Sequence, residues 1–274
     1  MPERISRRTL LRAAGCCAVG IAALDAFVVE PSWMALSEHD VPIAGLPRGL
    51  EGFRIAHLSD LHLHSLGRFH DTLLATLKAQ KPDLVVLTGD AVEETSALGV
   101  LTEFCRAIAA EGREVVATIG NWEHWGEITM QDLGRAYTRA GARLLGNESM
   151  RLASGITVVA TDDFCSGHDD AAAALREPPP GPVRLFLTHA PGLFDVLPAD
   201  APRFDLGLAG HTHGGQVTAL GVPLWVPPGS GRFRSGMYTT TKGPVYVSRG
   251  IGTSVLSARF TCRPELPVFR LVSG

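Results

Sequence analysis

No Cys-x-x-Cys pair occurs in this chain. The five cysteines, Cys16, Cys17, Cys105, Cys165 and Cys262, are scattered, which excludes zinc ribbons and dithiol redox motifs. Cys16 and Cys17 fall in an apolar leader, and the remaining three permit at most one bridge. Disulfides are therefore not expected to hold the fold, and these cysteines read as buried small hydrophobes. Beyond the first dozen residues there is no cluster of Lys or Arg either, and the formal net charge is -3. A long nucleic acid is not an expected partner, because neutralising its backbone takes a basic stripe. Charged residues make up only 19% and hydrophobic ones 45%, with no low-complexity tract. That balance favours a globular chain with a sizeable core and argues against disorder.

The first thirty residues read as an address. Residues 6–11 are Ser-Arg-Arg-Thr-Leu-Leu, followed by Arg12 and a small-residue-rich apolar run from Ala13 to Leu24. The run falls short of the roughly twenty apolar residues of a membrane span. The expected reading is a twin-arginine-type signal carried by Arg7 and Arg8, with the twin-arginine export machinery as partner. Segment 1–30 is then a signal or anchor, 31–274 a single domain, and the destination the periplasm or the outer face of the membrane. No clean Ala-x-Ala precedes Glu30-Pro31, and Phe27, Val28 and Val29 prolong the apolar character. Cleavage and retention as a membrane anchor both stay open.

From about residue 40 the chain repeats a short apolar run, a polar cluster and, often, a helix-like segment. Strands are expected at 53–58, 84–88, 114–119, 156–161, 183–188, 206–209 and 245–248. Helical periodicity marks 70–80, 98–110 and 131–140. Strands alternating with helices imply α/β. Residues 214–236, rich in Gly and Pro, read as loops.

The residues just past the apolar runs carry the chemistry. The runs lead in turn into Ser59-Asp60-Leu61-His62, Thr88-Gly89-Asp90, Gly120-Asn121, Thr188-His189 and Gly210-His211-Thr212-His213. In α/β folds the loops beyond the carboxyl ends of strands form the binding crevice, so five such ends can converge. Asp, Asn and His without a thiolate suit Mn, Fe or Zn and argue against a structural zinc site. Seven donors exceed what one ion takes from protein alone, but fit two divalent ions sharing a carboxylate, a catalytic arrangement. His57 and His64 flank the first motif. Strand alternation turns His57 away from Asp60, and both read as non-ligands. Asp162 and Asp163 read as turn or cap residues.

The segments from about 50 to 215 resemble the calcineurin-like metallophosphoesterases, whose pattern is Asp-x-His, Gly-Asp-x-x-Asp/Glu, Gly-Asn-His-Asp/Glu, a lone His and Gly-His-x-His. Gly210 to Gln216, Tyr246 to Thr253 and the Glu-Pro after the leader are similar to the exported or membrane-associated YkuE-type branch. The resemblance implies two packed mixed β-sheets flanked by helices, a four-layer α-β-β-α sandwich. It also implies that Asp60, His62 and His213 hold one metal, that Asn121, His189 and His211 hold the other, and that Asp90 bridges them. Manganese is the first expectation and a monomer the expected state.

The implied activity is hydrolysis of a phosphoester or phosphoanhydride by metal-activated water, on a small-molecule or lipid-linked substrate of the envelope. Pyrophosphate hydrolysis of a UDP-2,3-diacylglucosamine type in lipid A synthesis is one such reaction. The alternatives are a general phosphodiesterase or phosphomonoesterase and a metal-bound binding protein. Glu93 matches the second-motif carboxylate and reads as orienting a ligand. The chain departs from the pattern at Gly120-Asn121-Trp122-Glu123-His124-Trp125, where Trp122 replaces the His that commonly assists the leaving group. His124 is the candidate to take over that role. Trp122 and Arg249 are the candidate substrate contacts, with loop packing and an ion pair as their structural alternatives.

Overall fold

The computed structural model describes residues 6–274. The first five residues of the expected leader lie outside the described residues. Helix α1 (Arg7–Leu24) opens the chain and continues through a wider turn at Asp25–Val29 into a tighter one at Glu30–Ser32. The sequence-based expectation of a run too short to span is corrected by this continuation. Leu11–Ser32 forms 22 residues, an 18-residue window of which has a mean hydropathy of 1.8, long and apolar enough by length and composition to cross a membrane. The end of this segment is bound to the body. Arg259 N–H donates to the Ala26 carbonyl (2.9 Å), and Thr261 N–H donates to Glu30 Oε2 (2.6 Å). The Arg263 guanidinium lies 3.4 Å above the Trp33 ring.

The first sheet begins with β1 (Ala35–Ile43), β2 (Arg54–Leu58), β3 (Leu84–Thr88), β4 (Glu114–Thr118) and β5 (Arg143–Leu144). The second takes β6 (Glu148–Arg151), β7 (Thr157–Ala160), β8 (Arg184–Leu187) and β9 (Leu206–Ala209). A small hairpin, β10 (Thr218–Ala219) and β11 (Val222–Pro223), stands apart. Then β12 (Gly236–Thr239) and β13 (Pro244–Val247) complete the second sheet, and β14 (Glu265–Ser273) returns to the first. The spatial orders are β1-β14-β2-β3-β4-β5 and β12-β13-β9-β8-β7-β6. The parallel core of the first sheet (β2 to β5) is flanked by the antiparallel β14, with β1 parallel to β14 at the edge, and that of the second (β7-β8-β9-β13) is edged by the antiparallel β6 and β12. All seven expected strands appear, with ends shifted by at most one residue.

Strand alternation sorts the core into three layers of contact. On β2 and β3, Ala56, Leu58, Val85 and Leu87 pack outward on helices α2 (Arg68–Gln80), α3 (Leu98–Ala109) and α5 (Met130–Arg139). The intervening Ile55, Leu84 and Val86 pack inward against Val158, Leu185 and Leu208 of the second sheet. On that sheet's far face, Val159, Phe186 and Val247 meet α6 (Ala171–Leu175), α7 (Leu193–Val196) and Phe204. Strands buried on both faces need continuous apolar runs, and these have them. Helix α3 buries Leu101, Phe104, Cys105 and Ile108, the spacing of one helical face. The result is two mixed sheets packed face to face with helices outside both. All five cysteines are free, with Cys105 and Cys262 buried.

Candidate metal centre

Both sheets deliver side chains to one place. Asp60 and His62 follow β2, Asp90 follows β3, and Asn121 begins the short helix α4 (Asn121–Trp125) after β4. From the second sheet come His189 after β8, and His211 with His213 after β9. All seven are buried. Asp60, His62, Asp90 and His213 form one group with donor atoms within 4.8 Å of one another, and Asp90, His189 and His211 form a second. Asp90 belongs to both. Asn121 joins the second group through its Oδ1, 3.1 Å from His189 Nε2.

The turns that aim these side chains are unusual. Asp60, His62, Asp90, His211 and His213 all adopt positive φ, between 46° and 70°. Left-handed backbone costs energy in any non-glycine residue, least in Asp, Asn and His, and such strain persists where the surrounding structure over-determines it. The glycines between strand and ligand serve close approach. A Cβ on Gly120 would overlap the Asp90 carboxylate, and one on Gly210 would overlap Ser59 Oγ and the Asp60 carboxylate.

The hydrogen-bond network fixes which atoms face the centre. His189 Nδ1–H donates to the Thr88 carbonyl (2.7 Å) and His211 Nε2–H to the Pro228 carbonyl (2.6 Å). Their remaining nitrogens, His189 Nε2 and His211 Nδ1, therefore point lone pairs at each other across 3.1 Å. The same Nε2 faces Asn121 Oδ1 and, at 3.1 Å, Asp90 Oδ2, which are also acceptors. In the other group, His62 Nδ1 meets Glu93 Oε1 at 2.7 Å, leaving Nε2 to face His213 Nε2 at 3.2 Å. His213 Nε2 stands 3.4 Å from Asp60 Oδ1. Buried lone pairs converging on lone pairs are costly unless a cation lies among them. The residues present fit two divalent ions of the N/O-preferring kind.

Support for these donors comes from groups around them. Asp60 accepts the His211 amide N–H at 2.9 Å, and Trp122 N–H donates to Asp90 Oδ1 at 2.9 Å. Glu93, the carboxylate of the second motif, stands beside His62 Nδ1 at 2.7 Å. Glu123 received no role from sequence reasoning. Its buried carboxylate accepts amide N–H groups of Asp90 (3.0 Å), Ala91 (2.6 Å), Val92 (3.3 Å) and Gly120 (2.9 Å), tying two ligand turns together. Burial and the neighbouring Asp90 charge push that carboxyl up to about 7, against the pull of the amide donors. The acid that closes the third motif was the available signal for it.

The remaining expected residues fall differently. Trp122 lines the cleft above the centre, edge-on to His62 (6.0 Å) and to Trp125 (5.4 Å). His124 is not brought there: its Nε2 is 2.6 Å from Asp162 Oδ1 and its ring stacks on His168 at 3.8 Å, which holds it away from the cleft walls. Arg249 is taken up by an ion pair, Nε to Glu265 Oε2 at 3.2 Å, and does not line the cleft. His57 is buried, donating to Thr88 Oγ1 at 2.8 Å, and His64 is exposed. Asp163 caps a turn by accepting Ser166 N–H at 2.6 Å.

The cleft has a volume of about 640 Å³. Asp90, Asn121, His211 and His213 reach its floor, while its walls are largely apolar, with Trp122, Trp125, Leu224, Trp225, Val255 and Leu256 among them.

Comparison with known proteins agrees with this architecture. The calcineurin-like phosphoesterase profile matches residues 53–215. The chain is 30% identical to the metallophosphoesterase YkuE of Bacillus subtilis (strain 168), covering 99% of both chains. It is 32% identical to the phosphodiesterase YaeI of Escherichia coli (strain K12), covering 98% of this chain and all (100%) of that one. A transmembrane protein with metallophosphoesterase domain from Danio rerio is 27% identical over 83% of this chain and 55% of its own length.

Proposed function

This chain belongs to the calcineurin-like phosphoesterases, and from that premise we propose that it hydrolyses a phosphoester or phosphoanhydride of a lipid-linked substrate at the cell envelope. The observation that carries the reading is the meeting of two donor groups at Asp90 on the floor of an otherwise apolar cleft. Asp60, His62 and His213 with Asp90 would hold one divalent cation, and Asn121, His189 and His211 with Asp90 the other. Manganese is the first candidate, with iron and zinc behind it. Two bound cations would supply an activated water and charge neutralisation for a phosphoryl group.

The chain's own residues then bind and orient. Trp122 N–H and the Glu123-bound amides fix the direction of the Asp90 carboxylate. Glu93 and the carbonyls of Thr88 and Pro228 hold the imidazoles in one tautomer. The aromatic walls exclude water and accept the apolar part of a substrate, which favours a lipid-linked phosphate over a free sugar phosphate. Arg7 and Arg8 support twin-arginine export. The contacts of Ala26 and Glu30 with residues 259–261 support a leader kept as anchor, because cleavage after Glu30 would remove them. The transmembrane relative is in keeping with an anchored enzyme.

The test uses the full-length, manganese-loaded chain on bis-p-nitrophenyl phosphate, p-nitrophenyl phosphate and a UDP-2,3-diacylglucosamine-type pyrophosphate. Turnover of the diester and of the lipid-linked compound, abolished by a chelator and restored by manganese, is the expected result. Two metals bound per chain with no turnover of any compound would identify a binding protein instead.

A further inference from the structure

The cleft's outer rim is an apolar surface left uncovered among the described residues, and its composition is uniform. Residues 214–231 and 250–258 contain no charged side chain. Between them they expose Leu220 (103%), Val255 (92%), Leu224 (68%), Val222 (66%) and Trp225 (64%). Scattered exposed apolar residues need no explanation, but a contiguous set beside a functional cleft does.

Hydrogen bonds of the Gln216 side chain and of the backbone place these segments together. Gln216 Nε2–H donates to the carbonyls of Ser254 (3.1 Å) and Leu256 (3.2 Å), and Ser254 N–H donates back to Gln216 Oε1 (2.7 Å). Leu224 N–H donates to the Val217 carbonyl (3.2 Å). The same ladder reaches the end of the apolar leader. Phe260 N–H donates to the Gln216 carbonyl (2.8 Å) and Thr218 N–H to the Phe260 carbonyl (3.0 Å), while residues 259 and 261 bind Ala26 and Glu30. Phe27, Val28 and Trp33, exposed by 55%, 57% and 54%, belong to this tethered segment.

A second observation is independent of exposure. The two most exposed large hydrophobic residues among those described, Leu220 and Val255, both adopt positive φ, 51° and 63°. Leu220 sits with Gly221 (φ 79°) in the two-residue turn of the β10–β11 hairpin, a position that favours Asn, Asp or Gly. A β-branched residue such as Val255 is an outlier at positive φ. Neither side chain gains burial inside the chain in return, so local stability does not account for either.

We propose that this rim is a bilayer-docking face: the β10–β11 hairpin, Trp225 and the 254–256 loop enter the lipid interface, and the cleft receives its substrate's acyl portion directly from the membrane. The bilayer is the occupant because the leader, long and apolar enough to cross it, is tied to the same face. Tryptophan at the edge of an apolar patch suits the headgroup level. The proposal rests on the phosphoesterase reading only in what enters the cleft.

The experiment uses the full-length protein in phosphatidylcholine vesicles, with or without bromine on the acyl chains, and the Trp225→Phe variant to isolate the emission of Trp225. Brominated lipid should quench that emission roughly twofold, because the indole then lies at the acyl boundary. The Leu220→Asp/Val222→Asp double variant changes residues that do not line the cleft, and Asp is at home in the turn. It should keep its rate on soluble bis-p-nitrophenyl phosphate, lose the quenching, and hydrolyse a vesicle-embedded pyrophosphate roughly tenfold more slowly. Trp225 emission indifferent to bromine overturns the proposal, as does wild-type hydrolysis of embedded substrate by the double variant. A dimer that forms through this face in place of quenching also overturns it. Quenching in a protein that hydrolyses neither substrate upholds the docking face and refutes the hydrolase reading.

Discussion

Asp90 is the residue on which both donor groups depend, since its carboxylate lies in each. Exchange for Asn removes one anionic oxygen from both groups while preserving shape and the Trp122 N–H contact. Metal analysis of Asp90→Asn should show loss of both ions together, with kcat down roughly a hundredfold or more; a variant that keeps two ions and its rate would refute the shared position. His124 makes a different prediction. Hydrogen bonding to Asp162 raises its imidazole above the ordinary value of 6.5. The folded state therefore favours the protonated form, and the stabilisation is fully present below pH 6.5 and lost as pH rises through the raised value. The Tm deficit of His124→Gln against wild type should accordingly be larger near roughly pH 5.5 than near roughly pH 9. Equal deficits would show that the pair is not ionic. On soluble diester, His124→Ala should stay within about threefold of wild type, whereas a leaving-group donor would lose roughly a hundredfold.

Strand ends are the elements that build the centre, and they tolerate added atoms poorly. Gly120 approaches the Asp90 carboxylate so closely that Gly120→Ala must displace it. The expected cost is about 1–3 kcal/mol with weakened metal binding. Gly99, in α3 with open space around it, is the control, where Ala should stabilise by up to about 1 kcal/mol in a chemical melt. The same elements explain what could be read from sequence. The parallel strands are buried on both faces, so β3 is Leu-Val-Val-Leu-Thr without a break, and a ligand after each such run stands out. By contrast β1, Ala-Leu-Ser-Glu-His-Asp-Val-Pro-Ile, is exposed on alternate residues and owes its strand to pairing with β14. Short β5 and β6 depend on their neighbours in the same way. Within the site, the residues that meet were legible because each directly follows an apolar run. The positive φ of five of these residues, the Glu123 clamp and the capture of His124 by Asp162 were not, because each depends on what a distant turn brings near.

At the scale of the molecule, the centre joins the two sheets: Asp60, His62, Asp90 and Asn121 come from one, His189, His211 and His213 from the other. Ions held there bind only the folded arrangement and should add about 2.7 kcal/mol at a hundredfold excess over Kd. Calorimetry should show Tm falling on chelation by roughly 5–10 °C, and the Asp90→Asn chain should lack that response. A Tm indifferent to chelator would mean the ions do not link the sheets. The position of β14 has a consequence in time. It lies between β1 and β2, yet follows every other strand of either sheet in sequence. During synthesis the first sheet stays split until residues 265–273 leave the ribosome, long after the apolar leader has emerged. Until then β1 and the β2–β5 block stand unjoined, and late closure of a non-local sheet is slow.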